Sequence, residues 1–495
     1  MALMAYLSKS DFLKYQVCPS YLWLWKHKRE VVPVDEEDAI NRRLEQGNEV
    51  ERFARKLFNE ATLVETKGAQ AKVDTEKLVA SGVNTIFQAT VITEDGLLAM
   101  ADVIRYDHQT ESWDLYEVKS TNAVKSEHIS DTTFQRVAFE DAGYKIGRVS
   151  VIHLNKDYVR NGELEPEKLL KETDITDKVD AVISVIRQQI GDALEIINEP
   201  DEPKTCSCRL KPKSGHCPTF KYFNPDIPEY SVFHISRIGN KKLGILVDGD
   251  ITDIEDVPDD FGLTVVQRNQ VEVAKSKQPV IDVTAVRDVL SELEYPLYFL
   301  DYETLSTALP LFDGCRPFQQ VVFQYSLHVQ ARPGAELEHY EYLARNSAQT
   351  PVQGLLGALQ EHLGNEGSVV VWNKSFEAAR NREMGVMYPV YADFLEGINN
   401  RIFDLMDVFS KQHYVHHQFK GSTSIKAVLP VLVPDVSYKV LDIQNGASAS
   451  AKWYDALFGG VERQESEHIF EGLLKYCCLD TLAMVKIYDY LQTVE

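Results

Sequence analysis

No apolar run in this chain reaches the roughly 18 residues that a membrane-spanning helix needs, so no membrane association is expected. The opening stretch, Met1 to Asp11, lacks an apolar segment bounded by a cleavage signal, and secretion is not expected either. The seven cysteines are odd in number, which argues against a disulfide framework and for a cytoplasmic chain. There is no Walker loop, so the chain itself should supply no ATP-driven motor. Internal repeats and low-complexity tracts are missing as well. Positive charge is scarce: 52 Lys and Arg stand against 75 Asp and Glu, a net charge of -23. That balance weighs against a nucleic-acid partner gripped by Lys and Arg, but metal sites built of carboxylates also consume acids.

What is present is a 495-residue chain with 44% hydrophobic and 26% charged residues, ordinary for a globular protein and too long for a single core. Two local windows are basic: Lys9, Lys14, Lys26, Lys28 and Arg29, and then Lys204, Arg209, Lys211, Lys213 and Lys221. In the first 220 residues, periodicity predicts helices over 8–17, 37–60, 125–142 and 175–197, and strands over 84–93, 97–106, 113–119 and 147–155. Residues 225–285 read as irregular and turn-rich. A second α/β pattern follows, with strands over 295–301, 318–330, 338–343 and 368–372 and a final helix over 468–491. The expected division is 1–224, a connector at 225–285, and 286–495.

In Leu115-Tyr116-Glu117-Val118-Lys119, strand alternation puts Glu117 and Lys119 on one face. Upstream, Ala99-Met100-Ala101-Asp102 closes an apolar run with an isolated acid. Asp102 and Glu117 could share a hard cation such as Mg²⁺, with Lys119 beside the reacting phosphate. The following helix carries Gln135 and Phe139 on one face. This ordered set resembles the RecB-like branch of the PD-(D/E)XK nucleases, which includes CRISPR-associated exonucleases. That family carries G-x-x-x-H, then D, E-x-K and Q-x-x-x-Y. Here Gly47 precedes Glu51 at the His position, and Phe139 stands at the Tyr position. The resemblance implies a metal site of Glu51, Asp102 and Glu117, with Lys119 and Gln135 catalytic.

Three cysteines, Cys206, Cys208 and Cys217, fall in a polar loop rich in Pro and Lys, and Cys18 lies far upstream. Several RecB-like nucleases clamp their domain ends with a 4Fe-4S cluster held by one N-terminal and three C-terminal cysteines. The one-plus-three layout here implies such a cluster, with zinc as the alternative and His216 as a substitute ligand in that case. The C-x-C-x8-C spacing departs from the family's usual one.

Leu297-Tyr298-Phe299-Leu300 is an apolar strand leading into Asp301 and Glu303, two acids of identical facing. Val369-Val370-Val371 opens into Lys374-Ser375-Phe376-Glu377, and the final helix places Tyr476 one turn before Asp480. This pattern resembles the DEDDy exonucleases of the ribonuclease H-like 3′–5′ type, with Glu377 where the family has Asp. The resemblance implies four metal-binding carboxylates, Asp301, Glu303, Glu377 and Asp480, serving Mg²⁺ or Mn²⁺. Tyr476 would orient or deprotonate the attacking water. Asp404 and Asp407 are read as supporting the fold around that site. Both resemblances occur together in a bacterial family of unknown function that fuses the two nuclease types.

Other conspicuous residues have plainer readings. His413, His416 and His417 lack partners at ligand spacing and read as a surface turn. Cys477 and Cys478 read as core, and Trp23 and Trp25 as packing near Cys18. The expectation is therefore an α/β protein with two nuclease domains joined by a connector. Its expected substrate is DNA, single-stranded or with free ends. RNA and a catalytically degenerate nucleic-acid-binding assembly subunit are the alternatives.

Overall fold

The structure, a computed structural model, describes residues 6–33, 37–346 and 348–494. The fold is mixed α/β in two compact units, Met1–Asp226 with Thr307–Phe318, and Ile227–Ser306 with Gln319–Glu495.

The first unit is built on strands β1 (Leu7–Ser8), β2 (Thr62–Leu63), β3 (Thr85–Ile92), β4 (Leu97–Asp107), β5 (Ser112–Lys119), β6 (Ile146–Leu154) and β7 (Leu170–Asp174). They pair in the order β2-β3-β4-β5-β6-β7, with β1 also on β4. The β3–β4 and β4–β5 pairs are antiparallel. β5 and β6 are parallel, joined through the helix Ser126–Asp141, as parallel neighbours require a long crossover. Both faces of the sheet are covered. Leu115 packs with Phe134, Val137 and Phe139 and with Val179, Ile186 and Ile190 of the helix Thr176–Asn198. Tyr116 packs on the opposite side with Val50, Phe53, Phe87 and Val103. Glu117 and Lys119 thus share a face, as alternation predicts, but that face looks at a helix and not at solvent.

In the second unit a five-stranded sheet runs β11-β10-β9-β12-β13. Its strands, with two short ones outside it, are β8 (Val280–Ile281), β9 (Leu297–Leu305), β10 (Val321–Gln330), β11 (Leu337–Leu343), β12 (Ser368–Val371), β13 (Ile402–Asp404) and β14 (Tyr414–Val415). The first three strands of the sheet are antiparallel, and β9, β12 and β13 are parallel. β8 and β14 form a separate two-stranded pair. The C-terminal helix Arg463–Gln492 packs on β9 and β10. Leu473, Tyr476, Cys477, Asp480, Thr481 and Met484 are buried on it, spaced three and four apart on one face.

The segment expected to be irregular instead holds helices at Asn240–Asp248 and Val265–Ser276 and belongs to the second unit. In Val265–Ser276 a reciprocal cap between Thr264 and Gln267 starts the helix, and its buried face mixes Gln267 and Gln270 with Val271, Val273 and Ala274. Buried glutamines break the apolar period that would have announced it. Gln270 is satisfied there, donating to the Tyr230 hydroxyl and the His234 carbonyl and accepting from Ser236 N–H. Among the described residues no helix is long and apolar enough to cross a membrane.

Candidate active sites and thiol centre

In the first unit, Asp102 sits in the middle of β4, which continues past it to Asp107, and Glu117 lies near the end of β5. Asp102 Oδ2 accepts a 2.7 Å hydrogen bond from Val118 N–H, which ties the acid across the strand pair beside Glu117. Glu117 is 2% exposed and fully engaged. Its Oε1 accepts from Lys9 Nζ and Lys119 Nζ, both at 2.7 Å, and its Oε2 accepts from the Gln135 amide at 2.6 Å. Glu51, on the helix Glu37–Ala54, accepts from Arg55 and from Gln88 Nε2, each at 2.6 Å. Gln88 Nε2 also reaches Asp102 Oδ1 at 3.4 Å. Glu51, Asp102, Glu117, Lys119 and Gln135 are therefore brought together, and Phe139 is buried in the core with no polar role.

The two central acids are driven apart electrostatically. Burial, then the neighbouring Glu117 carboxylate, pushes Asp102 up to about 8 despite Lys9. Burial would raise Glu117 too, but the Lys9 and Lys119 ammonium groups and the Gln135 amide outweigh it and hold Glu117 at about 2. Lys9, Gln88 and Asp131 were missed from sequence. Lys9 occupies the first position of the helix Lys9–Val17, started by the Ser8–Asp11 reciprocal cap. Asp131 takes a short hydrogen bond from Lys119, while its Oδ1 is buried without a partner. Gln88 has φ +57° inside a strand, and the β3–β4 register skips it, so its amide swings between Glu51 and Asp102.

In the second unit, β9 extends through both its acids to Leu305, beyond the expected end at residue 301. Asp301, Glu303 and Cys477 offer ligand atoms within 4.8 Å of one another. Cys477 Sγ lies 3.8 Å from Asp301 Oδ2. Asp480 Oδ1 accepts from the Tyr438 hydroxyl at 2.6 Å. Lys426 Nζ donates to the Tyr476 hydroxyl at 3.2 Å and to the Gln444 carbonyl at 2.7 Å. Glu377 is 3% exposed, and its Oε2 is buried with no hydrogen-bond partner. Burial and mutual repulsion push Asp301, Glu303 and Glu377 well above the carboxylate range. Burial raises Asp480 to about 6, held there by the Tyr438 hydroxyl and Lys426. Lys426 faces Asp301, Glu303 and Asp480, and Arg380 faces Glu377. These four acids, Asp301 half-buried and the others buried, outnumber the Lys426 and Arg380 cations and leave one oxygen orphaned, and divalent cations with oxygen preference fit that deficit.

Burial, then the nearby acids, pushes the Tyr476 phenol far up. Asp404 accepts from Lys374 N–H and Met406 N–H, closing the start of the Glu377 helix onto β13, and Asp407 pairs with Lys411. Lys426 ends the Ser422–Lys426 stretch that resembles the exonuclease family's next helix, and Tyr438 is marked by no motif.

The sulfur atoms of Cys18, Cys206, Cys208 and Cys217 lie within 4.8 Å of one another, and all four residues are buried. Cys18 caps the helix Pro19–His27, and the Cys206 and Cys217 thiols hydrogen-bonded to it pull its own thiol far down. The thiols of Cys206 and Cys217 are pushed up chiefly by their hydrogen bonds with Cys18, and that of Cys208 chiefly by burial. Four clustered thiols cannot ionise together without a cation, so the donor set fits an iron-sulfur cluster or zinc. His216 is not in the group: its Nε2 faces the Lys211 carbonyl at 2.9 Å and its ring stacks on Phe220. Trp23 donates to the Glu199 carbonyl and stacks on His27, and Trp25 carries Lys14 and Arg29 on its ring. Among the described residues His413, His416 and His417 join no metal-capable group.

A model described as a domain of unknown function (DUF2779) matches residues 298–424, which include Asp301, Glu303 and Glu377. The chain is similar to the uncharacterized protein MG366 homolog of Mycoplasma pneumoniae, 28% identical over 219 residues, 41% of this chain and 33% of that protein. It is also similar to the uncharacterized protein MG366 of Mycoplasma genitalium, 26% identical over 225 residues (42% and 33%). A third relative is the uncharacterized protein UU173 of Ureaplasma parvum, 27% identical over 241 residues (44% and 34%). The matched stretch spans about a third of the length of these relatives.

Proposed function

We propose that the chain is a metal-dependent DNA nuclease of exonucleolytic character, with a PD-(D/E)XK-type first unit and a ribonuclease H-like second unit. The observation that carries this reading is the pair Asp301 and Glu303 of β9, with ligand atoms within 4.8 Å of each other, on which Glu377 and Asp480 of two helices act as further nearby acids. These four acids would hold Mg²⁺ or Mn²⁺, which when bound supplies Lewis-acid activation of water and neutralises charge on the scissile phosphate. Tyr476, braced by Lys426, would donate to the attacking water. In the first unit Asp102, Glu51 and Glu117 would hold the same ions, while Lys119 and Lys9 face the phosphate and Gln135 fixes Glu117. The four thiols would hold a 4Fe-4S cluster, or zinc, as a clamp joining Cys18 to the 206–217 loop.

The test is digestion of end-labelled single-stranded DNA and of RNA with Mg²⁺ and Mn²⁺, by the intact chain and by Asp102→Ala and Asp301→Ala. We expect DNA cleavage, and at least a 100-fold fall (about 3 kcal/mol of barrier) in the variant of each working site. No cleavage of either nucleic acid would overturn the reading. A second reading is favoured by one feature: Glu117 is already saturated by two ammonium groups and an amide. On that reading the first unit binds nucleic acid without cutting it, and Asp102→Ala leaves the rate unchanged.

A further inference from the structure

On the C-terminal helix two cysteines stand side by side but serve different neighbours, because consecutive helical residues point about 100° apart. Cys477 turns to Asp301 in the acid cluster, and Cys478 approaches two imidazoles of the sheet. His328 of β10 and His339 of β11 are directly opposite each other in the antiparallel register, with ring centroids 4.4 Å apart. The ligand atoms of His328, His339 and Cys478 lie within 4.8 Å of one another. We propose that these three residues form a zinc site, separate from both acid clusters and from the four thiols, that fastens β10 and β11 to the C-terminal helix. This inference does not depend on the nuclease reading.

The donor chemistry is that of a borderline-soft ion: two imidazoles and a thiol, with no carboxylate among the three. Donors around tetrahedral zinc sit about 2.0–2.3 Å from the ion, hence roughly 3.3–3.8 Å from each other, and the trio closes onto an ion with small side-chain adjustments. Each ring has one nitrogen fixed by a hydroxyl. Thr481 Oγ1 lies 2.8 Å from His328 Nδ1, Ser326 Oγ lies 2.9 Å from His339 Nε2, and the two hydroxyls are 2.7 Å apart. That chain orients both rings and leaves His328 Nε2 and His339 Nδ1 for a ligand, the arrangement outer partners impose on metal-bound histidine. Burial keeps both imidazoles neutral at pH 7, as ligands must be. His328 is buried, whereas His339 and Cys478 are half-buried, which gives the ion a way in.

The experiment measures zinc bound to the purified full chain after dialysis against micromolar zinc with excess Mg²⁺ to occupy the carboxylates. Parent, His339→Ala and Cys478→Ser are compared, with folding checked by circular dichroism. We expect His339→Ala and Cys478→Ser each to lose one equivalent of zinc relative to the parent. We also expect Thr481→Val to weaken that equivalent by about 10-fold. Loading with cobalt should give thiolate charge-transfer absorption that falls by the contribution of one thiolate in Cys478→Ser, a contribution that Cys206→Ser retains. Equal zinc in parent and folded His339→Ala, or a cobalt spectrum indifferent to residue 478, would overturn the proposal.

Discussion

Two ammonium groups grip Glu117, and only that of Lys119 could be anticipated from the strand that carries the acid. Lys9 arrives from 108 residues away, placed by a helix cap whose sequence says nothing about its target. Gln88 is equally hidden, since a left-handed residue inside a strand leaves no letter pattern when it is not glycine. His128, on the helix facing Glu117, yields a prediction at this scale. Burial, then the Lys119 charge, lowers it from 6.5 to about 4. The unfolded chain therefore takes up this proton first as pH falls. Stability held above about pH 6.5 drains away between there and about 4, at no more than about 1.4 kcal/mol per pH unit for one proton. His128→Asn keeps an acceptor for Lys125 N–H, now taken by His128 Nδ1, but cannot titrate. Chemical denaturation from pH 7 to 4 should show a shallower loss in the variant; parallel curves would refute the assignment.

Among the secondary elements, Gly367 is the tightest constraint. It precedes β12 with φ +81°, and a Cβ there would stand 2.1 Å from the Pro296 carbonyl oxygen at the start of β9. Gly367→Ala should destabilise the second unit by about 2–4 kcal/mol, adding collision to left-handed strain. Gly334→Ala, at φ +71° with nothing within 4 Å, should cost only about 1 kcal/mol. Urea midpoints that rank the two equally would contradict this packing. The thiol centre acts between elements too: purified protein should be brown with visible absorption, and colourless protein with stoichiometric zinc would reassign the group. Strands were legible where apolar letters run together, as in 297–300 and 369–371, or where they alternate with polar ones, as in 115–119. The helices 19–27, 240–248 and 265–276 were not: the first buries tryptophan, the second is nine residues with three buried apolar side chains, and the third buries glutamines. The acids of both sites were read in order, but their electrostatic partners Lys9, Asp131, Lys426 and Tyr438 become visible only once the chain is folded.

For the whole molecule, a net charge of -23 constrains how a polyanion could be held. Many of the basic residues noticed in sequence are spent internally: Lys9 on Glu117, Lys26 on Asp11, Lys28 on Glu202, and Lys211 on the Val17 carbonyl. Three of the ten basic residues in those windows are tied up in ion pairs, which lowers the number of counterions released from phosphates, so affinity for single-stranded DNA should depend moderately on salt. With about five phosphates neutralised, log K should fall against log salt with a slope of roughly -3.5 or shallower. Carboxyl clusters gain a phosphate oxygen only through a shared cation, so binding should instead depend on divalent ions. Replacing EDTA by Ca²⁺, which supports binding without efficient cleavage, should tighten single-stranded DNA binding by about 10-fold or more, near 1.4 kcal/mol. The combined Asp102→Asn and Asp301→Asn variant should lose most of that gain. Fluorescence anisotropy across a salt series decides the matter. Tight binding in EDTA with a steep salt slope would mean that a cationic surface, and not the two acid clusters, holds the nucleic acid.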